Sequence, residues 1–195
     1  MARTIGFDYD QALDQAAWLF WKHGYAGTSL RDLLKVMGIG EGSFYNTIKS
    51  KKRLYMACLK RYDETEGRKR RLALVSAPTA GMGIRALFGV LLDCLDDPRT
   101  PSRLCMMAAM AAEDVLADPD LRAFAEGGLS RLEANLVARL TQDQAAGIFP
   151  AGLDPGTIAP VIITYLEGLW RMALVSYDRP RFERQIDAFL TGLAL

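Results

Sequence analysis

Histidine occurs once in this 195-residue chain, at His23, and cysteine three times, at Cys58, Cys94 and Cys105. Those residues form neither a metal-ligand spacing nor an even disulfide framework, so reduced thiols and a cytoplasmic location are expected. No alternation of apolar and polar residues persists long enough for a strand, and no Gly-rich phosphate loop follows one. The adjacent acidic pairs, Asp96 with Asp97 and Glu113 with Asp114, read as solvated, and His23 reads as interacting with a helix end or water. No catalytic residue, metal or cofactor is therefore expected, which leaves the enzyme class without support. Met1 to Asp8 holds one arginine and no apolar stretch, so no secretory leader is expected. Membrane spans are not expected either, because Glu113, Pro160 and Glu167 interrupt the longest apolar runs short of about 18–20 residues. Nothing repeats at a period of about 20–50 residues, which excludes a solenoid.

Net charge is also close to zero, at +1, but the charged residues are unevenly placed. Residues 1–71 carry 14 Lys/Arg against 8 Asp/Glu, a net of +6, and residues 72–195 carry a net of −5. A basic first third on an acidic remainder fits a nucleic-acid module attached to a second part.

What is present is helix. Asp8 can cap a helix over 9–23 with Leu13, Ala16, Ala17 and Phe20 on one face, and Gly24 ends it. Thr28 can cap a second helix whose apolar face is Leu30, Leu33, Leu34 and Met37, and Gly38 stands where a left-handed residue would stop it. Gly40 can cap a short third helix over 41–47, with Phe44 inward and Ser43, Asn46 and Thr47 outward. Two short helices joined by a Gly-containing turn are the helix-turn-helix geometry, whose second helix can enter a major groove. The cluster Lys49, Lys51, Lys52 and Arg53 follows, where phosphates would pass. Ser50 can cap a long helix over 51–74 with Leu54, Tyr55, Cys58, Leu59 and Tyr62 inward. A boundary is expected over 76–83, then helices over 84–95, 102–117, 120–144, 156–176 and 180–193, separated at prolines.

The segment Thr28 to Arg53 resembles the DNA-binding region of the tetracycline-repressor (TetR) family. Thr28, Gly38, Gly42, Phe44, Tyr45, Ser50, Lys51 and Leu54 match its pattern, and Ala16, Phe20, Gly24 and Tyr25 fit its first helix and turn. Gly40 departs from the usual hydroxyl cap, Thr47 stands where His is common, and Ile48 where Phe is common. The resemblance implies an all-α fold. A three-helix helix-turn-helix domain (1–50) would precede a larger helical ligand-binding and dimerisation domain (51–195), with the helix over 51–74 linking the two.

It also implies a transcriptional regulator, a repressor by the family's habit, whose partners are a double-stranded DNA operator, a second copy of the chain and a small-molecule effector. By position in the family pattern Thr28, Tyr45, Thr47 and Lys51 would meet phosphates; a packed aromatic at Tyr45 and a solvated helix terminus at Lys51 are the alternatives. Ser43, Asn46 and Glu41 are base-edge candidates, since Asn pairs with adenine and a carboxylate accepts from cytosine N4. Gly42 would let backbone approach the duplex. One short helix reads too few base pairs to find a site, so a homodimer on an inverted repeat is expected. Its candidate face is Ile162, Leu166, Leu169, Phe182, Ile186, Phe189, Leu190 and Leu193; internal core is the alternative. Tyr62, Phe88, Leu91, Met106, Met107, Met110, Trp170 and Met172 are candidates for lining an effector cavity, again with plain core as the alternative, and their character suggests an apolar or aromatic compound. Cys105, expected at the start of the helix over 102–117, is a candidate oxidant or electrophile sensor against a buried inert thiol. A second domain that binds a protein partner instead of a ligand is the remaining alternative.

Overall fold

The computed structural model describes Phe7 to Leu195 and is all-α, with ten α-helices and no strand among the described residues. The leader reading of Met1 to Asp8 falls largely outside them. Two compact units divide the chain: residues through Thr65 together with Cys105–Arg122, and Glu66–Leu104 together with Ala123–Leu195.

In the first unit α1 (Tyr9–His23) starts where Asp8 accepts the Gln11 amide and ends at Gly24, whose φ of +73° suits a residue without Cβ. Ala12, Leu13, Ala16 and Phe20 form its buried face. The second helix, α2 (Leu30–Met37), is capped by Ser29 and not by Thr28, because the Ser29 hydroxyl accepts the Asp32 amide. Gly38 takes the left-handed conformation and closes it as expected. Helix α3 (Glu41–Thr47) follows Gly40 and buries Phe44 completely. Ser50 then caps α4 (Lys51–Tyr62), which buries Leu54, Tyr55, Cys58, Leu59 and Tyr62. Helix α1 packs on both α2 and α4.

The long helix expected over 51–74 is not regular. A π turn, Asp63–Gly67, interrupts it before α5 (Arg68–Ser76). The Thr65 hydroxyl donates to the carbonyls of Arg61 and Tyr62, at 3.0 and 3.2 Å, and so competes with the regular ladder.

The boundary expected over 76–83 shrinks to three residues, since α6 (Ala80–Asp96) begins directly after its cap Thr79. Glycine in this stretch serves packing. A Cβ on Gly83 would lie 2.3 Å from the Leu74 carbonyl oxygen, so only glycine permits this approach of α6 to α5. Buried Asp143 accepts the Ala80 amide at 2.6 Å and adds a second acceptor at the start of α6.

A further correction concerns 102–117, which does not form one helix. The chain there makes turns, a 3-10 segment (Ala108–Met110) and the one-turn α7 (Glu113–Leu116). Cys105, Met106, Ala108 and Met110 are all buried, a spacing that no single helix face supplies, so burial has overridden local propensity. The later helices fall within a residue of expectation: α8 (Pro119–Ala145), α9 (Pro155–Val175) and α10 (Arg179–Gly192).

Helix α9 also overturns the expectation that no segment is long and apolar enough to cross a membrane: it has 21 residues, and an 18-residue stretch within it has a mean hydropathy of 1.4. Pro160 and Glu167 are too few to lower that average. Ile158, Ala159, Ile162, Leu166, Leu169, Trp170 and Ala173 nevertheless bury one side of α9 within its own chain.

Candidate nucleic-acid interface

The outward face of α3 is polar and open. Glu41, Gly42, Ser43 and Asn46 are exposed, Thr47 is half-buried, and Tyr45 keeps 51% of its surface accessible while its ring meets Phe44 edge-on at 5.4 Å. Phe44 thus anchors the helix, and the same turn directs Tyr45 and Asn46 outward. The reading of Tyr45 as a packed aromatic does not survive. Gly40 and Gly42 have open space where a Cβ would stand, so their role here is not to relieve a clash within the chain.

Thr28 requires a correction. It is 1% exposed and its hydroxyl donates to the Gly24 carbonyl at 2.7 Å, which ties the end of α1 to the approach to α2. Its side chain is spent on the fold and is not presented to phosphates.

The cations around the start of α4 have different fates. The Lys51 ammonium lies 4.4 Å over the Tyr25 ring, and partial burial lowers its pKa. Tyr25 is itself held by Phe20 and Tyr55, with ring centroids 6.3 and 4.9 Å away. Lys52 donates to Asp120 at 2.6 Å and pairs with Asp118 at 3.0 Å, and those hydrogen bonds raise its pKa. Sequence reasoning placed Lys52 with the phosphate cations; the structure neutralises it with acids more than sixty residues away, which no local pattern reveals. Lys49 and Arg53 are exposed, and Lys49 has φ +78°.

The effector candidates divide between the units. Tyr62, Met106 and Met110 are buried and Met107 half-buried in the first, whereas Phe88, Leu91 and Trp170 are buried in the second. Met172 is 54% exposed on α9 and lines an open groove, not a buried cavity. Cys105 is buried and receives the Tyr62 hydroxyl at 3.4 Å. It opens no helix, so the helix dipole expected to activate its thiol is missing. Among the described residues no cluster of three His, Cys, Asp or Glu could hold a metal.

Most of the candidate dimer face is internal. Ile162, Leu166, Leu169, Phe182, Ile186 and Leu190 are buried in their own chain, and Phe189 and Leu193 are half-buried. The open apolar surface lies one step round α9. Val161, Tyr165, Gly168 and Met172 of α9, with Ala188 and Phe189 of α10, line a groove of about 870 Å³. Tyr165 and Phe189 stack there at 3.8 Å. The spacing of Val161, Tyr165, Gly168 and Met172 was legible as a second helical stripe, but the richer stripe beside it drew the assignment.

Comparison with known proteins settles what this geometry belongs to. Residues 82–189 match the family described as tetracyclin repressor-like, C-terminal domain, and residues 12–58 match bacterial regulatory proteins, tetR family. The chain belongs to the TetR family. An HTH-type transcriptional regulator of Bacillus subtilis (strain 168), YezE, is 28% identical over 194 residues, covering 99% of this chain and 100% of that protein. The HTH-type transcriptional repressor ComR of Escherichia coli (strain K12) is 28% identical over 164 residues, covering 84% of this chain and 78% of ComR. Among solved structures, a cysteine-substituted variant of the TetR family regulator CifR, complexed with 26 bp double-strand operator DNA, superposes with a TM-score of 0.88 at 28% identity, covering 97% of this chain and 98% of that one. As a TetR-family member the protein is a helix-turn-helix transcriptional regulator and not an enzyme.

Proposed function

We propose that this regulator is a homodimeric repressor that binds an inverted-repeat operator and is released by a small apolar or aromatic effector. The observation that carries the DNA reading is the outward face of α3. Exposed Glu41, Ser43, Tyr45 and Asn46 stand on a helix anchored by one fully buried phenylalanine, next to Lys51 and the exposed Lys49 and Arg53. Tyr45, Thr47 and Lys51 are assigned to phosphates, which supply affinity, and Ser43, Asn46 and Glu41 to base edges, which supply sequence preference. Gly42 leaves room for the duplex backbone. Such a protein works in the cytoplasm, where the operator lies.

The second copy is assigned to the groove of α9 and α10, whose exposed apolar residues suit a bundle of two helices from each chain. Support for repression comes from ComR, which is named a repressor, and support for operator binding from CifR, which is named as complexed with operator DNA. The effector reading rests on the apolar character of Tyr62, Met106 and Met110, since methionine adapts to varied ligand shapes. Release would follow if the effector prefers a geometry whose two reading helices no longer match successive major grooves.

Selection of duplexes from a randomised pool tests the DNA reading. The chain is expected to enrich one inverted repeat, with Tyr45→Ala and Lys51→Ala each weakening binding. A folded protein that enriches nothing at moderate salt would exclude it. With that repeat in hand, a panel of apolar aromatic compounds is expected to contain one that releases it.

A further inference from the structure

Three lysines within four residues stand at the start of α4, and they are not equivalent. Lys52 is held between Asp118 and Asp120. Lys51 rests on the Tyr25 ring. Lys49 is exposed, with no ion pair to its ammonium among the described residues, and it is there at a conformational cost. Its φ is +78°, and Ala194 beside the carboxyl terminus is the other described non-glycine residue with positive φ. A side chain in that region crowds its own backbone, which is why glycine ordinarily occupies it.

The fold needs the left-handed turn, because the Ile48 and Lys49 amides both donate to the Phe44 carbonyl, at 2.7 and 3.2 Å, and so end α3 before Ser50 caps α4. The fold does not need a lysine to make it. Glycine would form the same turn without the crowding, so the turn alone does not call for a lysine. Its position offers the side chain a use. Lys49 follows the reading helix directly, at the end opposite Glu41, where a duplex backbone flanking the groove would run.

We infer that Lys49 is a phosphate contact of the operator complex, retained in a strained backbone for that contact, and that Lys52, neutralised by Asp118 and Asp120, is not one. This inference rests on the DNA reading above. The unpartnered Lys49 ammonium replaces condensed counterions on a phosphate, whereas Lys52 must first leave two carboxylates.

The test uses the full-length protein and the duplex it selects from a randomised pool. Affinity is measured across a salt series, and thermal unfolding is followed without DNA. Lys49→Gly is expected to bind about tenfold more weakly and to flatten the dependence of log K on log salt by about two units per dimer, one phosphate per protomer. The same variant is expected to unfold about 2 °C higher, since the backbone crowding is relieved. Lys49→Ala should lose affinity without that rise, Lys49→Arg should retain the wild-type slope, and Lys52→Ala should retain it too. A Lys49→Gly protein that binds the selected duplex with the wild-type slope overturns the assignment of Lys49, and an equal loss of slope in Lys52→Ala overturns the sorting of the two lysines. A wild-type chain that selects no duplex overturns the DNA reading itself, a failure that the first step separates from the other two.

Discussion

Helices α3 and α9 make opposite demands on their sequence. Helix α3 has one apolar side chain to bury, Phe44, and everything else on it is polar, small or amphipathic. Inside and outside are therefore settled by composition. Helix α9 is apolar nearly all round. Ile158, Ile162, Leu166 and Leu169 lie in its own chain's core, while Val161, Tyr165, Gly168 and Met172 line an open groove. A helix with two apolar stripes has two surfaces to cover, and only packing says which is covered from within.

The sharpest way to break that distinction is to change one side chain on each stripe of α9. Ile162→Ala is expected to cost about 3 kcal/mol of folding stability in urea titration, because it leaves a cavity in a fully buried site. If the loss is negligible, Ile162 does not belong to the internal stripe. Next in size is Gly83→Ala in the contact of α5 with α6, where the added Cβ meets the Leu74 carbonyl. It should lower stability by about 2 kcal/mol, and an unchanged unfolding midpoint would show that the two helices can separate at no cost. Met172→Glu, on the outer stripe, should leave the far-UV spectrum unchanged yet shift the protein toward monomer in sedimentation at micromolar concentration. A dimer as tight as wild type would remove the groove from the interface.

The smallest expected effect concerns Glu167, whose carboxyl is pushed up by burial against the opposing pull of Arg171 and Arg70. A raised acid binds its proton more tightly in the folded chain. Its contribution is full below the ordinary glutamate range and is lost as pH rises through the folded value. Glu167→Gln should therefore flatten the decline of the melting temperature across that window, and a decline identical to wild type would show that Glu167 does not titrate with folding.

The same contrast explains what could be read in advance. The bounds of α1 and α3, the stop at Gly38, the caps Asp8 and Ser50, and the inward residues of α4 were legible because each depends on near neighbours in the chain. Outward Ser43 and Asn46 on α3 were legible for the same reason, whereas Thr47, expected with them, is half-buried. Thr28 and Ser29 are neighbours that compete for one cap, and the choice fell to Ser29 because the Thr28 hydroxyl donates to the Gly24 carbonyl. Lys52 looked like its neighbours until Asp118 and Asp120 reached it. The stretch 102–117 has the composition of a helix, but its buried residues follow no helical period.

By itself, then, the sequence determined an all-helical chain with a helix-turn-helix near its start, because caps, glycine stops and a single apolar stripe act over three or four residues. Tertiary structure alone decided which stripe of α9 is core, which lysine beside α3 is free, and that 102–117 does not coil into one helix. Each of those outcomes turns on groups brought together from distant parts of the chain, and burial or pairing with them outweighs a local preference of less than about 1 kcal/mol per residue.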